Sequence, residues 1–406
     1  MKAMIFKRKD YMYVRAVKAD INVNTFLQKS DPAIADLKRV VPGQILHKFS
    51  VFHNHPRILD ALLVVFDVCF WWLLYLVNVV FLLQFIVERI RFGRFEIPKN
   101  PDNVLIGDTL GRYFYQMLEN ACIPNYGNNW IIFRKRSFPS IDKKFGSSVY
   151  YIRLLSLRDL WASFVFANRQ IYLVRRCCGI EHTLHAGKAF HWYAFRQAFA
   201  RNLPCREIVF INENDRWYFL FQSLKSRRVM IQHGVLSKDE SVLDKWLTPY
   251  KQTSVDLLYC HNEDEEWAFR KFVREIREVK YFTPKICLSK LPSSAPSILI
   301  ICNVRFYSAL EEQIVRKIHE RHPDVIMYVK PHPAQPVSFY RKLARAVPFK
   351  LILNPFFYPD VDIVVAYHSS LASQYESCGA DVVYMTDAPM EDVLVSVSDR
   401  LARLEP

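Results

Sequence analysis

A Lys and a His stand at the end of an apolar run in Tyr328-Val-Lys-Pro-His332-Pro333, and the run from Asp324 to Val329 predicts a buried strand that delivers them onto a Pro-stiffened turn. Further on, Tyr367-His368-Ser369-Ser370 follows a second apolar run, Val361 to Ala366, and opens a predicted helix that carries Glu376. A protonated His and a Lys at a strand end can neutralise a departing phosphate. Serines at the start of a helix add hydroxyls and open backbone amides, where an anion is favoured. Together Lys330, His332, Pro333, His368, Ser369 and Ser370 are the parts of a phosphate site, with Asn303 after the strand Ser297 to Cys302 as a further donor contact. Each also has a plainer use: His332 can close a loop, Lys330 can sit in solvent, and the serines can simply cap the helix. Glu376 is either a solvated carboxylate or a partner for a ribose, as acidic residues are in other nucleotide folds.

A second group lies earlier in the chain. Ile231-Gln232-His233-Gly234 ends a predicted strand, and the Gly permits a sharp turn or a close approach to a ligand. His233 suits a general base, because an imidazole near its ordinary pKa takes a proton at neutral pH; its alternative is a polar loop residue. Asn212-Glu213-Asn214-Asp215 follows another strand, so Glu213 can line the same rim, whereas Asp215 reads better as a helix N-cap.

These residues need strands to carry them. Short apolar runs at Val149–Leu154, Ile208–Asn212, Arg228–Gln232, Val255–Cys260, Ser297–Cys302, Asp324–Val329, Lys350–Leu353, Asp362–Ala366 and Asp381–Met385 read as strands. Helical patterns at Asp215–Leu224, Ser308–Arg321 and Leu371–Gly379 separate several of them. Strands alternating with helices predict the α/β class, with parallel sheets covered on both faces. The expected organisation is a basic N-terminal region over 1–100, a Rossmann-like acceptor domain over 101–245 and a Rossmann-like nucleotide-donor domain over 246–406, the two domains facing a cleft. Glu96–Asp108 reads as a hinge, and Ser289–Ser297 as a linker or a loop inside the second domain.

At 406 residues, 51% hydrophobic and 23% charged, the chain can bury two cores and is not a disordered one. Its net charge of +15 calls for an anionic partner: nucleic acid, anionic lipid or a phosphorylated substrate. The run Arg134–Arg136 with Lys143 and Lys144 lacks the aromatic interleaving of an RNA-binding sheet, so membrane or acceptor binding is favoured and no nucleic acid is expected. Nine cysteines without CxxC pairs fit a reducing compartment, and no apolar leader is read in the first fifty residues. His182, His185 and His191 lack metal-site spacing, so no metal and no cofactor are expected, and with 10 glycines no GxGxxG or P-loop occurs.

Ala61 to Val87 has the length and apolarity of a membrane helix, spanning or in-plane, with a buried core helix as the alternative. Asp67 near one end costs less than the many Leu, Val and Phe residues return. Basic residues flank both ends, Lys48 and Arg57 before and Arg89, Arg91 and Arg94 after, so charge gives no orientation. The expected location is the cytoplasmic face of the inner membrane, with the basic surplus against anionic lipids.

The set QHG at Gln232–Gly234, KPHP at Lys330–Pro333 and DIVVAYHSSLASQYE at Asp362–Glu376 resembles the two-domain GT-B transferases of bacterial surface polysaccharides. These include the capsular polysialyltransferases and related sialyl- and Kdo-transferases; the CDP-glycerol glycerophosphotransferases are also similar. The pattern departs from the latter at Tyr367, in place of an acid, and at His368, in place of a Tyr. The resemblance implies a metal-independent glycosyltransferase that releases CMP from a cytidine-nucleotide donor and acts on a glycan or lipid-linked glycan acceptor. It would place His332, Ser369 and Ser370 on the donor phosphate, Glu376 on the ribose, and His233 or Glu213 on the acceptor hydroxyl. A glycerophosphotransferase and a noncatalytic GT-B scaffold of an assembly complex stay as alternatives, with a UDP-sugar transferase or epimerase behind them.

Overall fold

The computed structural model describes residues 12–18, 21, 56–95, 103–107, 129–133, 147–202, 206–211, 219, 221–222, 224–232, 253–282, 286–291, 295–302, 308–332, 337–354, 357–367, 369–385 and 389–404. The chain divides into two compact units, Met1–Phe282 and Thr283–Pro406.

Unit 1 is built on seven parallel strands: β1 (Asn103–Gly107), β2 (Asn129–Phe133), β3 (Ser147–Tyr150), β4 (Glu207–Ile211), β5 (Arg227–Ile231), β6 (Ser254–Cys260) and β7 (Glu275–Tyr281). Their order, β3-β2-β1-β4-β5-β6-β7, is the doubly wound one, in which the chain reverses direction across the sheet between β1 and β4. Strand β6 is buried at every position, as a parallel strand with a neighbour on each side should be, whereas β7 exposes most of its residues at the sheet edge. Two features correct the expected boundaries. Val255–Cys260, assigned to the second domain, joins the first sheet, with Val229, Met230 and Ile231 opposite Leu257, Leu258 and Tyr259. The hinge expected at Glu96–Asp108 contains β1, an interior strand of the sheet, whose five residues Asn-Val-Leu-Ile-Gly are too short to show a period.

Among the described residues of unit 1, 12–18 are helical, and the longer helices are α1 (Pro56–Val65), α2 (Leu73–Phe92), α3 (Leu157–Cys178), α4 (Ala189–Asn202) and α5 (Glu263–Phe272). The apolar segment predicted as one helix over 61–87 is broken: α1 passes through a π-helical turn, Phe66–Phe70, before α2 begins. The break falls at Asp67, which is buried, and Arg175 of α3 donates to its backbone carbonyl at 2.9 Å while stacking over the Trp71 ring at 4.3 Å. Nor is this region separate from the rest. Leu74 and Phe85 belong to the same core cluster as Phe166, Phe190, Trp192 and Phe195 from α3 and α4, so 1–100 is not a domain of its own. Ser156 and Asp159 form a capping box that starts α3, with Ser156 Oγ accepting from the Asp159 amide at 3.2 Å.

Unit 2 holds five parallel strands, β8 (Ser297–Ile301), β9 (Ile326–Lys330), β10 (Lys350–Leu351), β11 (Ile363–Ala366) and β12 (Asp381–Tyr384), in the order β10-β9-β8-β11-β12. Helices α6 (Ser308–Arg321), α7 (Val337–Leu343), α8 (Ser370–Ser377) and α9 (Met390–Ala402) alternate with them. Ile298, Ile300, Val329, Val365 and Val397 pack on one face of the sheet, and Leu299, Tyr328, Val364, Ala372 and Tyr375 on the other. Both faces are covered, as a parallel sheet requires. The stretch read as linker or loop, Ser289–Ser297, lies inside this unit, where Ser289 exchanges two main-chain hydrogen bonds with Tyr358 and Asp360 at 2.7 and 2.8 Å. The chain is therefore an α/β protein with a Rossmann-ordered parallel sheet in each of its two units.

Candidate functional site

In an open parallel sheet, ligands sit outside the carboxyl ends of the strands, where the order reverses. In unit 2 that reversal lies between β8 and β11. Strand β9 ends in Lys330, followed by Pro331 and His332, and β11 ends in Ala366, followed by Tyr367 and the start of α8. Because β8 lies between them, the two sequence groups leave the sheet on either side of one strand, about 10 Å apart at ordinary strand spacing.

The N-terminus of α8 is held at both ends of the helix. Ser369 is its N-cap, accepting from the Ala372 amide at 3.2 Å, so the capping role is filled. At the other end Gly379, with φ of 85°, allows a Schellman-type turn in which the Ala380 amide reaches the Tyr375 carbonyl at 3.1 Å. Tyr375 also donates to the Pro359 carbonyl at 3.1 Å, which ties α8 to the loop after β10. The positive end of the helix dipole is thus fixed at the carboxyl edge, with the backbone of Ser370 in its first turn.

Lys330 departs from the expected role. Its ammonium is buried and donates to the Asn354 and Phe357 carbonyls, both at 3.0 Å, with the Tyr358 ring 4.9 Å away. Burial pushes its pKa down to about 8. The sequence suggested a direct phosphate ligand; the structure makes Lys330 the residue that fastens the loop after β10. Two carbonyl dipoles partly repay the desolvation, which is why a Lys is tolerated there.

His332 is half-buried on the turn that follows. Glu376 lies six residues beyond Ser370, about 9 Å along the helix axis, exposed and accepting from the Tyr384 hydroxyl at 3.1 Å. It does not share the helix terminus with Ser369. Glu213, His233, Asn303, Pro333 and His368 lie outside the described residues, as do the basic run at 134–136 and most of the helix expected at Asp215–Leu224.

The structure adds residues that the sequence did not mark. Cys302, directly after β8, is buried beside Glu311 of α6 and Tyr340 of α7, and Tyr340 donates its hydroxyl to the Glu311 carboxylate. Burial pushes both the Cys302 thiol and the Tyr340 phenol up, so both stay protonated at neutral pH. A shallow, mostly apolar hollow lined by Leu291, Tyr328, Lys350, Ile352, Asn354 and Phe357 lies beside the loop that Lys330 fastens. Neither feature has a spacing signature, since each joins residues from three separate parts of the chain.

In unit 1 the carboxyl ends of β4 and β5 lead to the two groups expected to hold the acceptor base. Gln232, fully buried, accepts from the His261 amide at 3.0 Å through its side chain, while its own amide donates to the Tyr259 carbonyl at 2.9 Å. That double bond stitches the end of β5, and so the approach to His233, to the end of β6. His261 therefore stands at this edge, one strand over, a histidine the sequence reading passed by. Among the clustered histidines, His191 packs on Phe81 and Phe85 with ring centroids 4.4 and 5.0 Å apart.

No protein-family model matches this chain, and no curated protein matches its sequence. Solved structures with a similar course of chain include MnaA of S. aureus with UDP, at 8% identity, covering 76% of this chain and 90% of that one, with a TM-score of 0.41. Anabaena Alr3699/HepE in complex with UDP-glucose has 11% identity, covers 70% and 80%, and has a TM-score of 0.41. UDP-GlcNAc 2-epimerase from Neisseria meningitidis bound to UDP-GlcNAc has 7% identity, covers 75% and 92%, and has a TM-score of 0.38. Likenesses at this level carry no argument about chemistry, and the roles that follow stand on this chain's own residues.

Proposed function

We propose that this protein is a membrane-associated, metal-independent glycosyltransferase that uses a CMP-activated sugar, of the sialic acid or Kdo type, to build a bacterial cell-surface polysaccharide at the cytoplasmic face of the inner membrane. The observation that carries the reading is the strand order of unit 2, which brings the Lys330–His332 turn and the N-terminus of α8 out on either side of β8. A phosphate there meets the positive end of α8 and, when protonated, the His332 imidazole. The motif resemblance supplies the cytidine and the sugar class. The hollow beside the Lys330-fastened loop offers Leu353 and Phe357 as apolar surface for a flat base.

In the proposed reaction His233 or Glu213 takes the proton of an acceptor hydroxyl. The hydroxyl oxygen bonds to the anomeric carbon, and the bond from that carbon to the CMP phosphate oxygen breaks, the electron pair leaving with CMP. His332 and the α8 amides oppose the charge that develops on the phosphate. Lys330 keeps the loop after β10 in place, and Glu376 receives the ribose.

The test is thermal stabilisation of the detergent-purified protein by CMP, CDP, UMP and UDP, alongside His332→Ala. Stabilisation by CMP or CDP that the variant loses supports the reading and justifies a donor screen, with CDP-glycerol included. A preference for UDP overturns the cytidine assignment, and no shift with any nucleotide moves the protein to a noncatalytic scaffold.

A further inference from the structure

Helix α2 is apolar on both sides, but the sides differ in what they meet. Its inner side is packed along its whole length: Asn78 donates to Asn168 at 2.8 Å, Arg89 to the Leu155 carbonyl at 2.7 Å, and Tyr150 donates to Glu88 at 2.9 Å. Its outer side carries Leu76, Val80, Leu83, Val87 and Ile90, all exposed, with Ile90 at 75%. Their spacing of four, three, four and three residues keeps them on one stripe of the helix.

The neighbouring helix continues this surface. Asn78 of α2 meets Asn168 of α3, Arg89 of α2 meets Leu155 just before α3, and Arg175 of α3 meets Asp67 just before α2, so the two helices run antiparallel. On α3 the residues Leu157, Trp161, Val165 and Tyr172 are exposed, at levels that run from Ile90 of α2 down to Trp72, the residue that precedes α2. Two adjacent helices about 30 Å long present on the order of 600 Å² of apolar surface, at the upper limit of what a monomeric soluble protein shows.

The rim is basic. Arg91 and Arg94 are exposed at the end of α2, Arg158 between Leu157 and Trp161, and Arg176 one turn beyond Tyr172. A second copy docked on this stripe would bring its own basic rim against this one, like charge against like, which is unfavourable. Anionic lipid head groups complement them, and the exposed Trp and Tyr residues suit the interfacial zone.

We infer that the outer face of α2 and α3 is a docking surface for an anionic bilayer, with both helices lying in the plane of the interface rather than crossing it. The polar anchors at Asn78, Glu88 and Arg89 hold α2 against unit 1, so it cannot tilt into a span without breaking them. This inference does not rest on the nucleotide reading.

Flotation of the purified full chain with vesicles tests it, using phosphatidylcholine with and without phosphatidylglycerol. The wild type is expected to float with the mixed vesicles and far less with neutral ones. Leu83→Gln/Val87→Gln should lower the bound fraction about tenfold or more while leaving the melting temperature unchanged. Arg91→Glu/Arg158→Glu should weaken binding and flatten its salt dependence. Trp161→Gln, on the other helix, serves as a second variant should the first shift the melt. Equal vesicle binding by all three variants overturns the proposal. So does a dimer that the same glutamines dissociate, which would give the face to a second copy, or protease protection of residues 1–60 inside sealed vesicles, which would mean a span. Nucleotide stabilisation measured on the same samples keeps the donor reading separate from this one.

Discussion

The carboxyl edges of the two sheets are braced by different chemistry. In unit 2 the edge is held by ionisable groups kept out of water: Lys330 on the Asn354 and Phe357 carbonyls, and Glu311 beneath Tyr340. In unit 1 the corresponding brace is the neutral amide of Gln232, and the buried ion pair of that sheet, Arg228 with Asp256 at 2.8 Å, joins β5 to β6 at the end where Arg228 enters. On the proposed reading the contrast has a sense: an edge meant for a phosphate would draw on a helix terminus and buried charge, while an edge meant for a sugar hydroxyl would need position more than field.

The strongest way to break that contrast is at His332. If the charge at the unit 2 edge acts in the transition state, His332→Ala lowers turnover about a hundredfold with little change in melting temperature, measured with the donor identified by the nucleotide screen. An unchanged rate would assign His332 to the loop alone. A purely structural change comes next: Asp256→Asn removes one partner of the buried pair and should cost about 3 kcal/mol in denaturant unfolding of unit 1. Burial raises the Asp256 carboxyl, but the Arg228 hydrogen bonds outweigh it and the folded pKa falls below 3.8. The stability from that pair is therefore complete above the ordinary carboxylate range and lost as pH falls through the depressed folded value.

Gln232→Leu sharpens the comparison from the neutral side. It leaves the His261 amide without its side-chain acceptor and should destabilise unit 1 by about 2 kcal/mol. If the amide positions His233, kcat falls while nucleotide stabilisation is retained. Lys330→Met is a pH experiment. Because the folded pKa is about 8 against 10.5, the unfolded chain holds a proton in that window that the folded chain lacks, so the wild type gains stability on the variant as pH rises from 8 to 10.5. The slope should be at most about 1.4 kcal/mol per pH unit, and a flat difference would mean that the ammonium is solvated. The smallest effect is at the helix terminus, where Ser369→Ala should cost about 1 kcal/mol of unit 2 stability by loss of the cap.

Much of unit 2 was legible in the sequence. Helix α6 falls on Ser308–Arg321 as read, and the apolar runs around β8, β9, β11 and β12 end within two residues of the observed strands. Each is a short hydrophobic run between polar turns, the pattern that a strand buried on both faces imposes. Unit 1 was less open to reading. Strand β7 alternates charge with apolar residues at the sheet edge, and β1 hides beside a Pro/Asn-rich stretch. The run Val149–Leu154 was read as one strand, but only Ser147–Tyr150 pairs, and Tyr151–Leu154 winds into a 3-10 turn under α4. The site divides the same way. The turn after β9 and the cap of α8 follow from local order, whereas the Lys330 clasp and the Gln232 stitch join residues whose partners lie far off in the chain, and no spacing announces such pairs.

The inner partners of α2 come from residues 150–190, which are translated well after α2 itself. Until they emerge, a 20-residue apolar helix leaves the ribosome with both sides open and looks to the insertion machinery like a span. Asp67 and Asn78, later buried against α3, are then the residues that raise the cost of entry, an Asp by as much as about 3 kcal/mol at mid-bilayer. The Asn78 side chain would thus serve twice, first delaying commitment to the lipid core during synthesis and then fastening α2 to α3 in the finished fold.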